Sequence, residues 1–166
     1  MNAPQKLPSA PEEAARASRQ YATFFVDELF FGIDVLHVQE VLRYQEMTMV
    51  PLAPEVIEGL INLRGQIVTA VDMRRRLKLQ PRAEGQTPMN VVVRSEEGAA
   101  VSLLVDEIGD VLEAGSETFE RPPENVDAAA RELLRGVYKL KDRLLLILDT
   151  EKTIDFASGT SASRTM

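Results

Sequence analysis

Apolar residues recur along this chain in short runs separated by turn residues, which is the pattern of strands. Residues 21–26 (YATFFV) and 29–33 (LFFGI) flank Asp27 and Glu28 as a tight hairpin. Residues 40–50 alternate, with Val41, Met47 and Met49 as the expected core positions, until Pro51 and Pro54 break the run. A second hairpin is predicted from residues 60–63 and 67–71, with the polar segment Asn62-Leu63-Arg64-Gly65 lodged at its turn. Asp72 then stands where a side-chain oxygen caps a short helix. Further strands are predicted at 90–94, 100–105, 108–112, 134–140 and 144–148, and Asp149 repeats the cap before residues 150–155.

The chain repeats itself. Residues 59–73 align without gaps on 136–150 at an offset of 77, with Gly59, Leu63 and Asp72 meeting Gly136, Leu140 and Asp149. Residues 31–48 align on 101–118 at an offset of 70, with Val41 and Leu42 falling on Val111 and Leu112. The difference marks an insertion around residues 124–135, where three alanines and a Glu-Leu-Leu run read as a short helix. A self-match at fixed spacing is what a duplicated supersecondary unit leaves behind. Five short strands per unit, with edges that an open sheet would leave unpaired, predict two small barrels side by side, the first over about 21–79 and the second over about 89–156. Several strands read as apolar on both faces, so each unit is expected to need the other to cover its core. Residues 1–19 and 157–166 are expected to be mobile tails, with a helical turn or two within 12–20, and 80–88 an exposed connector.

Composition narrows the function. With 166 residues, the chain is most simply one domain, over 20–156. Apolar residues make up 45 % and charged residues 27 %, ordinary for a globular protein, and no apolar run approaches the ~18 residues of a membrane-spanning helix. Membrane insertion is therefore not expected. The first residues carry no secretory signal, so a cytoplasmic location is expected. Cysteine is absent, which removes disulfides and thiolate chemistry. A net charge of −7 disfavours long-range attraction to nucleic acid or anionic lipid. The basic run at 73–78 (MRRRLK) reads as a solvated helix face, with a docking patch as the alternative.

Little in the sequence can do chemistry. The single histidine, His37, has apolar neighbours and no second histidine to help it hold a metal. The acidic pairs Asp27-Glu28, Glu96-Glu97 and Asp106-Glu107 read as solvated carboxylates in turns. No phosphate-binding glycine pattern occurs. No enzymatic activity, metal or cofactor is expected, and nucleic-acid binding has little support from six Phe, three Tyr and few interleaved basic residues. Interaction is left. Arg64 aligns with Lys141, but Asn62 and Gly65 align with Lys139 and Asp142, so the Asn-Leu-Arg-Gly combination belongs to one copy only. A one-sided elaboration of a duplicated scaffold points to a binding surface, with a purely structural turn as the competing reading.

Residues 32–42 (GIDVLHVQEVL), 59–74 (GLINLRGQIVTAVDMR) and 105–112 (VDEIGDVL), in this order, resemble the CheW family of chemotaxis coupling proteins. The resemblance spans 21–156. It implies two five-stranded SH3-like barrels around a shared core, and a non-catalytic adaptor that joins the cytoplasmic tips of chemoreceptors to the histidine kinase CheA, whose regulatory domain has the same fold. The receptor tip, a helical hairpin, is then expected in the groove between barrels, against Val38, Asn62, Leu63 and Arg64, with Ile108 and Val111 from the second unit. Glu40 and Arg64 would be the charged pair of this surface, and Gly59 and Gly65 would keep the backbone close to the partner. The kinase is expected to dock barrel to barrel on an apolar end of one unit. Two alternatives remain at this point: a coupler for a pathway of surface motility or gene expression, and a free-standing barrel that binds a small ligand or nucleic acid.

Overall fold

The computed structural model describes residues 19–115 and 119–155. Twelve strands follow in order: β1 (Arg19–Val26), β2 (Leu29–Asp34), β3 (Val38–Leu42), β4 (Ile57–Leu63), β5 (Gln66–Asp72), β6 (Met89–Arg94), β7 (Ala100–Val105), β8 (Glu107–Ile108), β9 (Leu112–Ala114), β10 (Phe119–Glu120), β11 (Leu134–Lys139) and β12 (Leu144–Leu148). Helix α1 (Met73–Arg76) follows β5 and α2 (Ala128–Arg131) lies in the insertion. Asp72 accepts from Arg74 N (3.1 Å) and Asp149 from Lys152 N (3.0 Å), so both caps form as the repeat predicts.

The strands make a five-stranded sheet, β3-β6-β7-β5-β4, and a seven-stranded sheet, β10-β11-β12-β2-β1-β8, with β9 also on β1. Two differences turn an expected five and five into five and seven. The strand expected at 108–112 is split: Gly109 N still donates to Thr23 O (2.8 Å) in the register of β8, but the Thr23 hydroxyl then donates to the Asp110 carbonyl, and the chain rejoins β1 at Leu112 with its register shifted by one residue. Phe119 and Glu120 also pair with Tyr138 and Val137 as an edge strand that so short a segment does not announce.

The duplication is visible in the hydrogen-bond register. Ile61 opposes Val68 as Tyr138 opposes Leu145, and both hairpins carry an irregularity at the same place, Ile57/Gly59 and Leu134/Gly136. Both also pair in parallel with a strand of the other unit: β5 with β7 (Thr69↔Val101) and β12 with β2 (Leu146↔Phe31). The sheets therefore do not divide the chain at the connector. The β1–β2 hairpin of residues 21–79 lies in the seven-stranded sheet, and the β6–β7 hairpin of residues 89–156 in the five-stranded one. Neither sequence unit alone holds a complete sheet, which ties the halves more closely than side-by-side packing.

Both faces of each sheet find a core. Phe24, Phe31 and Leu146 from the larger sheet and Val71, Val91 and Leu103 from the smaller meet in a shared core. The opposite faces have cores of their own, Tyr21, Leu145 and Ile147 in one and Ile61, Val68 and Leu104 in the other. The run LLLIL of β12 is apolar throughout because alternate residues face different cores. Val41 and Met49, expected in the core, are instead 40 % and 80 % exposed. The chain leaves the ladder after Leu42, and only Thr48 returns, pairing with Leu60 (N to O 2.9 Å, and 2.8 Å in return). Met47 alone of the three packs inward. The expected tails lie almost wholly outside the described residues; of residues 12–20, only Arg19 and Gln20 are described, and they are strand.

Candidate functional site

The β4–β5 turn is built by its sequence. Arg64 and Gly65 have φ of 51° and 88°, the positive pair that a two-residue primed turn demands. Asn62 Oδ1 accepts from Gly65 N (2.9 Å), and Leu63 anchors the strand end in the smaller core. The other copy has a turn of equal length, closed by Leu140 N to Arg143 O (2.8 Å), but neither Lys141 nor Asp142 has positive φ. Asn62 and Gly65 are thus accounted for by turn type. Arg64 is not, since a side chain in the left-handed region costs roughly 1–2 kcal/mol and Asn or Gly suits it better. It is the rule-breaking residue of the segment.

Its guanidinium, on a side chain 72 % exposed, donates from Nη2 to Glu40 Oε2 on β3. That hydrogen bond is the main reason the Glu40 carboxyl is held below the usual carboxylate range. Beside it, Gln39 Nε2 donates to Gln66 Oε1 (3.4 Å). β3 and β4 are the two edges of the five-stranded sheet, so the sheet bends far enough for side chains on β3 to reach the β4–β5 hairpin.

The structure thus brings Glu40, Asn62, Leu63, Arg64 and Gly65 together, with Val38 two residues from Glu40 on the same strand. Ile108 ends β8 on the other sheet, paired with Phe24, and Val111 stands just before β9 and is exposed. Val38 and Ile108 pack against the same shared core, one from each sheet. Asn62, Arg64, Gly65 and Val111 are open to solvent, whereas Gly59 and Leu63 are buried. A Cβ on Gly59 would stand 2.7 Å from Thr48 O and 3.0 Å from Met47 Cβ, so its smallness serves the approach of the 47–48 segment within the fold. Gly65, with nothing within 4 Å, serves the turn.

Two features escape a sequence reading. Exposed apolar side chains, Tyr44, Met49, Leu52 and Ile67, cluster in sequence around the same hairpin, and Leu52 sits at a φ of 67° with full exposure. The second is an ionic cluster that overturns the reading of Asp106 as a solvated turn acid and of Arg74 as part of a solvated helix face. Asp106, its side chain 7 % exposed, accepts from Arg74 Nη2 (2.7 Å) and Asp27 N (2.6 Å), and Arg82 pairs with both Asp106 and Asp72. No local signal marks this cluster, because its members come from β5, α1, the connector and the end of β7. His37 Nδ1 lies 2.8 Å from Thr150 Oγ1. Among the described residues no group of three or more acidic or histidine side chains is placed to hold a metal, and no helix is long and apolar enough to cross a membrane.

A family model described as CheW-like domain matches residues 20–158. A chemotaxis protein CheW of Klebsiella aerogenes is 31 % identical over 136 residues, covering 82 % of this chain and 81 % of that protein. The Bacillus subtilis chemotaxis protein CheW is 29 % identical over 147 residues, covering 89 % of this chain and 94 % of the relative. Among solved structures, the scaffolding protein TtCheW from Thermoanaerobacter tengcongensis superposes with a TM-score of 0.70 at 28 % identity, covering 80 % of this chain and 89 % of that one.

Proposed function

This chain belongs to the CheW-like domain family, and on that premise we propose that it is a chemotaxis scaffold that couples chemoreceptors to the histidine kinase CheA through the surface around Arg64. The receptor's cytoplasmic tip, a helical hairpin, lies against Asn62, Arg64 and Glu40 on one side and Val111 on the other, with Val38 and Ile108 flooring the groove between the sheets. The kinase contributes its regulatory domain. The protein acts in the cytoplasm, at arrays of membrane-anchored receptors, and holds its partners in place with no chemistry of its own. No observation favours the surface-motility or gene-regulation alternative over chemotaxis.

Arg64 carries this reading. A residue that the turn disfavours, kept exposed and oriented by Glu40, is available to satisfy carboxylates or carbonyls of a partner as water leaves. Arg64→Asn suits the turn and removes the guanidinium. It should leave the melt unchanged or slightly raised and weaken binding of a receptor-tip fragment or of the kinase regulatory domain by about 2 kcal/mol, roughly thirtyfold. Lys141→Ala, at the equivalent place in the other copy, should bind as the parent does. Indistinguishable titrations for the two variants would reduce the Arg64 segment to a turn.

A further inference from the structure

The connector from the first unit to the second, residues 80–88, is exposed at every position except Arg82 and Pro88. Its middle bonds to itself: Gln86 N donates to Ala83 O (3.1 Å), Ala83 N to Gln86 Oε1 (3.2 Å), and Gly85 turns the chain at a φ of 87° with nothing within 4 Å of where its Cβ would be. Two guanidinium groups tie this segment to the body. Arg74 Nη1 donates to Gln80 O (2.8 Å) and so holds only the root. Arg82 turns inward, with a side chain 11 % exposed. It donates from Nη1 to Asp72 Oδ1 (3.1 Å) and from Nη2 to Leu104 O (3.0 Å). Its Nε lies 3.0 Å from Asp106 Oδ1, at ion-pair distance without hydrogen-bond alignment.

We propose that residues 82–88 are a strap clasped by Arg82, poised to open and close over the floor of the cleft beside it. That cleft, of about 730 Å³, has the strap as one wall, Tyr44, Met47 and Glu55 on the other, and Asp72 and Leu104 beneath. An exposed segment with no ladder gains conformational entropy on release, and the fork of Arg82 is what opposes it. Release also leaves the acids partnered. Asp106 keeps Arg74, and Asp72 keeps the Arg74 amide and the Arg75 guanidinium at 3.5 Å. Local opening is therefore separable from unfolding. This inference is independent of the adaptor reading, since it needs no receptor or kinase.

Cleavage by a glutamate-specific protease after Glu84, an exposed residue in the middle of the strap, reads the opening directly. The fragment beginning at Gly85 is followed by mass spectrometry in the parent, in Arg82→Ala, and in Ile147→Val, a variant weakened in the larger sheet's own core, none of whose residues lines the cleft. Arg82→Ala should be cut at least tenfold faster than either of the others. Arg82→Gln, which keeps the stem and a donor, carries the same comparison if the alanine variant is recovered unfolded. Cleavage of the Arg82 variants at the parental rate, or equal acceleration in Ile147→Val, would show that the strap opens only with the whole fold, and the proposal falls.

Discussion

Asp106→Asn should lower stability by about 2–3 kcal/mol, a fall in Tm of roughly 5–10 °C for a chain of this size. The substitution preserves volume, so no cavity contributes. What changes is charge: Arg74 and Arg82, with side chains 12 % and 11 % exposed, lose the anion between them, and although Arg82 keeps Asp72 and Arg74 keeps the more distant Asp27, two buried cations then share less negative charge than they were placed to meet. The neutral amide can still accept, but its NH2 group faces guanidinium donors and the Asp27 amide, which stands 2.6 Å from Oδ2. Acid adds a second signature. Burial pushes the Asp106 carboxyl up, but the hydrogen bonds from Arg74 and the Asp27 amide, with the charges of Arg82 and Arg74, outweigh it and hold the group below the usual range. A depressed folded value means the stabilisation is complete above the ordinary aspartate value of about 3.9 and is lost as pH falls through the folded value. Parent and variant melts should therefore be far apart at pH 7 and converge in strong acid. A gap that stays constant down to that range would mean the cluster is held by packing and not by charge.

Gly59→Ala and Gly136→Ala should each cost about 1–3 kcal/mol through overpacking, and by similar amounts although they lie in different sheets. They are the same position of the repeat, each just past the irregularity of its hairpin, and each is crossed by a neighbouring backbone. A Cβ would meet Thr48 O at 2.7 Å in one case, and Glu120 O at 2.7 Å with the Phe119 ring at 2.5 Å in the other. A ring end can swing aside, but a carbonyl on a paired segment moves only if the pairing gives way, and these pairings are a single bridge and a two-residue strand. Thermal melts of both variants test this. Gly59→Ala is the informative one, because the CheW resemblance places that glycine beside the receptor. If it melted like the parent yet failed to bind a receptor-tip fragment, the glycine would serve the partner and the packing account would be wrong.

Several parts of this protein follow from the order of its residues. Short apolar runs, the caps at Asp72 and Asp149, the hairpins and the duplication are local, or repeat at fixed spacing, and β7 and β12 begin and end where the apolar pattern places them. Asn62 and Gly65 announce a turn because a positive φ and a nearby acceptor are needs of four adjacent residues. Other features depend on what the chain meets. The sequence pattern is equally satisfied by units that close on themselves or exchange hairpins, since β12 presents two apolar faces either way; the parallel pairings of β5 with β7 and β12 with β2 are what decide it. Val41 and Met49 carry core-type side chains in alternation, yet lie exposed where the chain leaves the sheet. Glu40 finds Arg64 across 24 residues, and Asp106 finds Arg74 and Arg82 from separate elements. A charge carries no periodicity that names its partner, and burial is a property of what packs over a residue. Local order and fixed spacing set the elements and the repeat, while packing between distant segments selects which charges are buried and paired, which apolar residues are exposed, and that Gly59 faces inward.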